Sequence, residues 1–193
     1  ILYSAALTMK HDEGLLRAQM CEASENRRLA FGATVSIGEG ALAGWMERFL
    51  RKCPQDRVQV TVSNTRTLLR MLDEGSIDFA FVEGYFSRND YDLVVLSREP
   101  FIAVTGSGHF FEKEPTQLED LLSETVLLRE PGSGSREILE RALKERQLSP
   151  EDFAAQIEVN SIHVIKQLAA EGKAVTFAYR TAVKKELEEG KLR

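Results

Sequence analysis

The chain has 193 residues, 43% hydrophobic and 28% charged, with a formal net charge of −5. That is an ordinary globular composition, long enough for two small cores. It offers no overall basic surface for nucleic acid and no apolar run long enough to cross a bilayer. Residues 1–7 lack the basic flank and small-residue cleavage site of a secretory leader, and the first residue, Ile1, reads as the start of a fragment or a processed chain.

Residues 1–27 read as one helical stretch. Leu2, Met9, Leu16 and Ala23 recur at seven-residue steps, Ala6 and Met20 share a second seam that Glu13 interrupts, and Gly14 weakens the helix. A frayed surface helix and a dimerising linker helix fit this stripe equally well. After Asn26-Arg27-Arg28 the pattern changes to alternating strands and helices. A strand is predicted over 29–33, a turn over 34–40 and a helix over 41–52, closed by Cys53-Pro54. Val58, Val60 and Val62 alternate in a strand over 57–63. A helix over 65–74 ends at Gly75, and the apolar run 79–82 suits a buried parallel strand. Two extended segments, 92–96 and 101–105, then follow with no helix between them, which marks the crossing into a second domain. The alternation resumes with helix 116–122, strand 125–129, helix 135–147, strand 153–159, helix 161–171, strand 174–179 and a final helix over 182–189. This order predicts an α/β fold built from two doubly wound α/β subdomains.

In such sheets ligands sit beyond the carboxyl ends of the strands, where helix N-termini also point. Four strand ends are small or polar: Thr34-Val35-Ser36, Glu83-Gly84, Glu130-Pro131-Gly132-Ser133-Gly134-Ser135, and Asn160-Ser161. Asn160 and Ser135 are good N-caps for the helices that follow, so any one of these turns is well explained by ordinary capping. The Gly132-Ser133-Gly134 turn lacks the third glycine of a dinucleotide fingerprint and the lysine of a phosphate-binding P-loop. Taken together, two from each half, the four turns suggest a cleft that encloses a small polar ligand. Tyr179, the last residue of its strand, joins the candidate set. Arg129 could hold a carboxylate or sulfate, or pair with Glu130; Arg136, in the first turn of its helix, reads as solvated. Glu83 would repel an anion and so receives a donor. Trp45, Phe49, Leu42 and Met46 read as core, or as a partner surface where exposed.

No serine has an evident histidine partner and no carboxylates stand at adjacent strand ends, which favours binding over catalysis. Cys21 and Cys53 read as reduced thiols of a cytoplasmic protein. His11, His109 and His163 have no ligand spacing, so neither a metal nor a cofactor is expected.

The ordered set Ala33-Thr34-Val35-Ser36-Ile37-Gly38-Glu39, Glu83-Gly84, Leu128-Arg129-Glu130-Pro131-Gly132-Ser133-Gly134-Ser135-Arg136 and Asn160-Ser161 followed by Ile165-Lys166 resembles the effector-binding domain of LysR-type transcriptional regulators, over about residues 28–193. The resemblance implies a fold like a type 2 periplasmic binding protein. It implies an N-terminal linker and dimerisation helix (1–27), one effector subdomain from 28–103 with 180–193, and a second from 104–179. It implies a small, anionic effector held between the subdomains by Thr34, Val35, Ser36, Glu83, Gly84, Arg129, Gly132, Ser133, Gly134, Ser135, Asn160, Ser161 and Tyr179. It further implies a homodimer or higher homo-oligomer in the cytoplasm, with no membrane partner, that meets DNA only through a helix-turn-helix absent from this chain. Relatives usually continue past Leu192 with a further strand and helix. They also often carry a hydroxyl at Val35 and bulkier residues at Gly40-Ala41, so pocket shape is the chain's own. The alternatives are a solute-binding receptor of a transporter and a lyase or dehydratase on the same fold.

Overall fold

The computed structural model describes residues 28–193. The helix expected over 1–27, with Cys21 and His11, lies outside the described residues. Contacts divide the chain into two units, the first ending at Val82 and the second running from Glu83 to Arg193.

The first unit is a three-stranded parallel sheet in the order β2-β1-β3, from β1 (Arg28–Thr34), β2 (Arg57–Ser63) and β3 (Phe79–Phe81). The chain does not turn after β1 as Gly38 and Gly40 suggest. It becomes helical at once, through one turn (Val35–Ile37) and a π turn (Gly38–Leu42), and continues as α1 (Ala43–Lys52). The wider π turn accommodates two residues of poor helix propensity without ending the helix. The α2 helix (Thr65–Asp73) follows β2. Its buried Leu68 lies against Gly32, where an added Cβ would come within 2.5 Å of the Leu68 Cδ2. Phe31 stacks on Phe79 at 5.0 Å, and Phe81 meets Phe31, Phe79 and Trp45. β3 is less buried than its apolar sequence implies, with Phe79 37% exposed, because it is an outer strand of a three-stranded sheet.

The second unit is a four-stranded sheet in the order β4-β7-β5-β6, from β4 (Phe101–Thr105), β5 (Thr125–Leu128), β6 (Ala155–Glu158) and β7 (Val175–Tyr179). Only the β4–β7 pair is antiparallel. The period-two alternation of a strand divides its core in two. Val126, Leu128 and Val175 pack with Leu139 and Leu143 of α3 (Gly134–Lys144). Leu127 and Ala178 pack with Ile165 and Ala169 of α4 (Ile162–Ala170). The buried hydroxyls of Thr176 and Thr105 donate to the carbonyls of Leu127 and Ala174, both at 2.9 Å, so their burial leaves no donor unmet.

Several expected boundaries differ. Residues 92–96 form no strand, and Val94 is 85% exposed. The segment expected as helix 116–122 is a 3-10 turn, Leu118–Leu121. The last helix divides into a 3-10 turn (Arg180–Val183) and α5 (Lys184–Glu188). Residues 83–103 and 180–193, expected in the first subdomain, belong to the second unit. The reasons are tertiary: β4 pairs along β7, Ala178, Val183 and Leu192 enter one core with Val104, and Arg193 exchanges backbone hydrogen bonds with Thr105 at 2.9 and 3.1 Å.

Candidate functional site

In the first unit the parallel register places Thr34 beside Ser63, so the carboxyl ends of β1 and β2 lie together. Thr34 and Ser36 are buried, Val35 is half-buried, and Thr65 at the start of α2 is also buried. Asn64 caps α2, its Oδ1 accepting from the Thr67 amide at 3.0 Å. Asn64 and Thr65 are not among the candidates named from the sequence. The signal was present: an asparagine directly after an alternating strand and before a helical period is an N-terminus signature.

In the second unit the same arrangement recurs at β5 and β6. The turn after β5 holds Gly132, Ser133, Gly134 and Ser135, all buried. Gly132 has φ +92°, the left-handed backbone that glycine adopts freely. Ser133, not Ser135, occupies the N-cap of α3, and its side chain makes no cap hydrogen bond. Its hydroxyl instead shares a hydrogen bond with that of Ser135 at 3.0 Å. The first-turn amides of a helix have no acceptor within it, so α3 presents its N-terminal donors, with two serine hydroxyls, in a buried turn. At α4 the opposite holds: Ser161, not Asn160, is the N-cap, with its Oγ accepting from the Val164 amide at 3.4 Å, while Asn160 is exposed.

The arginines are committed to protein partners. Arg129, 6% exposed, donates from Nε and Nη2 to both oxygens of Glu130 at 2.9 and 3.0 Å. Arg136 is not solvated as expected. It donates to Glu140 at 2.6 Å, to Glu158 at 2.5 Å and to the Arg129 carbonyl at 2.9 Å. Leu128 pairs with Glu158 across β5 and β6, which brings that distant acid to the start of α3.

Gly84 also comes to this turn, with Glu83 directly before it in the chain. Gly84 has φ +98°, and a Cβ there would stand 2.6 Å from the Gly134 Cα. Burial pushes the Tyr179 hydroxyl well above its ordinary pKa, with the nearby Glu83 and Tyr85 adding to the effect. Tyr179 therefore remains a neutral phenol that can donate. The second-unit set is thus rich in neutral donors, the composition suited to holding an oxyanion by hydrogen bonds.

The histidines stand apart. His109 Nδ1 lies 2.7 Å from the Gly172 carbonyl, and His163 is exposed. Among the described residues no group of three His, Cys, Asp or Glu side chains could hold a metal ion. A cavity of about 400 Å3 in the second unit is walled by Val104, Phe111, Leu121, Val175, Phe177 and Arg193. It touches β7 at Val175 and Phe177, and Tyr179 is not among its lining residues. Its walls are mostly apolar, and Arg193 is occupied by Glu114 and the His109 carbonyl, each at 2.9 Å.

A family model described as the LysR substrate binding domain matches residues 22–193. The chain belongs to this family. It is 30% identical over 139 residues to the HTH-type transcriptional regulator CbbR of Rhodospirillum rubrum, covering 72% of this chain and 45% of that protein. It is 26% identical over 159 residues to an uncharacterized HTH-type transcriptional regulator of Methanocaldococcus jannaschii, covering 82% and 53%. The chain thus spans about half the length of these curated relatives. Its fold is similar to that of the Synechocystis PCC6803 CcmR regulatory domain solved in complex with 2-PG, with a TM-score of 0.70, 18% identity, and coverage of 86% of this chain and 78% of that one. The expected α/β, periplasmic-binding-protein-like fold is the fold of this family's regulatory domains.

Proposed function

We propose that this chain is the effector-sensing domain of a LysR-type transcriptional regulator and that its effector is a small anionic metabolite. The observation that carries this reading is the α3 N-terminus: a buried, glycine-lined turn whose cap serine leaves the helix amides uncapped. The effector's oxyanion takes the amides of Gly134 and Ser135 with the Ser133 and Ser135 hydroxyls. Gly132 and Gly84 let backbone approach closely, Tyr179 donates, and Arg129 keeps the turn in shape through Glu130. Asn160 and Ser161 add contacts from the second strand end of the second unit, and Thr34, Val35 and Ser36, at the carboxyl end of β1, are the candidate effector-binding residues of the first unit. The 2-PG bound by the CcmR domain is a ligand of the proposed kind.

In this reading the effector is bound and not turned over, and it acts through its differential affinity for two conformations of the domain. The whole regulator is a cytoplasmic homodimer or higher homo-oligomer that reaches DNA through a helix-turn-helix outside these residues. No described helix is long and apolar enough to cross a membrane. Calorimetric titration with carboxylates, sulfate and phosphorylated metabolites tests the site: a ligand is found whose affinity drops in Ser133→Ala and in Ser36→Ala. A ligand that both variants bind as tightly as the parent chain removes the assignment. Turnover lost with a cleft residue would favour the lyase or dehydratase alternative.

A further inference from the structure

The first unit ends at Val82, and Glu83, Gly84 and Tyr85 open the second. None of the three lies in a strand or helix, yet all three are held. Gly84 is left-handed, and a Cβ on it would also meet the Gly134 carbonyl carbon and oxygen at 3.2 Å. Two glycine backbones therefore touch with no side chain between them. Packed protein transmits displacement through such contacts because little empty space absorbs it. The Tyr85 ring lies 4.1 Å from the Arg141 guanidinium. Arg141 is seven residues beyond Gly134 and so on the same face of α3. Glu83 and Tyr85 both act electrostatically on Tyr179, whose ring in turn meets the Phe101 ring edge-on at 5.3 Å.

We propose that residues 83–85 form a clamp that couples the anion-holding turn to the place where the chain passes from one unit to the other. An anion on the Gly134 and Ser135 amides fixes the same backbone on which Gly84 rests. Tyr85 on Arg141 keeps the segment seated along α3 while this happens. Binding at the turn then restricts the crossover, which is how a local ligand biases a conformational equilibrium. The proposal rests on the reading of the 132–135 turn as the ligand element.

Hydrogen exchange of the backbone amides at 83–86, 132–136 and 126–128 tests it, with and without sulfate, phosphate or 2-PG. Tyr85→Ala and Arg141→Ala remove the ring contact at partly exposed positions, and Tyr85→Phe keeps it. Without ligand, both alanine variants exchange roughly two- to fivefold faster at 83–86, the loss of an exposed cation–π contact. Residues 126–128 are unchanged, and Tyr85→Phe matches the parent. With ligand, the parent chain slows at both 132–136 and 83–86, whereas the alanine variants slow at 132–136 alone. Slowing at 132–136 without slowing at 83–86 in the parent overturns the clamp and leaves the turn as the ligand element. Unchanged ligand-free exchange in both alanine variants also overturns the clamp. Slowing confined to other segments, or no slowing with any of the three anions, counts against the anion turn, and the ligand-free comparison still decides whether Tyr85 is seated on Arg141.

Discussion

The two units follow one plan but are built to different depths. In the second, β5 sends Val126 and Leu128 to α3 and Leu127 to α4, and all three are buried. In the first, α1 contains no fully buried residue, and Trp45 is half-buried against Phe81. The contrast extends to polar groups. The second unit holds a bidentate Arg129–Glu130 pair largely out of solvent beside the 132–135 turn, whereas the Arg51–Glu47 pair along α1 of the first is exposed. A sheet covered on both faces gives a fixed platform for a turn whose amides must point one way.

Mutations that match one unit against the other sharpen this contrast. The largest effect belongs to the cores: Leu127→Ala costs about 3 kcal/mol or more in chemical denaturation, as for a fully buried leucine, while Leu50→Ala in α1, where Leu50 is 54% exposed, costs about 1 kcal/mol because less area is lost. An equal cost for the two would erase the difference in depth. Next come the ion pairs. Arg129→Met removes two charge-assisted hydrogen bonds from the part-buried Glu130 carboxylate and costs about 2 kcal/mol, whereas Arg51→Ala, at an exposed pair, changes stability by less than about 0.5 kcal/mol. The proposed binding hydroxyls follow: Ser133→Ala is expected to weaken effector binding by up to about tenfold in calorimetry, the scale of one hydrogen bond, with little change in melting temperature. The smallest pair is the caps. Asn64→Ala lowers stability by about 1 kcal/mol and Ser161→Ala by about 0.5 kcal/mol, since their cap bonds measure 3.0 and 3.4 Å.

Much of this was legible in the residues. The valine alternation at 58–62 fixed β2 to its observed ends, and the alternation of strand and helix specified an α/β fold because those two periods differ. The glycine-serine turn was visible for the same reason: polar, flexible residues between a buried strand and an amphipathic helix. What escaped was whatever depends on partners far away in sequence. Arg136 reads as solvated until Glu158, 22 residues on, arrives across the sheet. Leu192 and Arg193 lie beyond the last helix expected from the sequence, yet they meet Val104 and Thr105. Which serine caps α3 turned on two residues of phase, and helix boundaries shift by that much readily. Gly38 and Gly40 suggested a turn where the chain forms a π turn inside a helix.

The most direct measurement is amide chemical-shift mapping of the 15N-labelled chain during titration with the effector that calorimetry identifies. The largest shifts are expected at Gly134 and Ser135, with smaller ones at Gly132 and Gly84. Shifts concentrated around Phe111, Thr116 and Arg193, with Gly134 and Ser135 unmoved, would place the ligand in the apolar cavity and contradict the account.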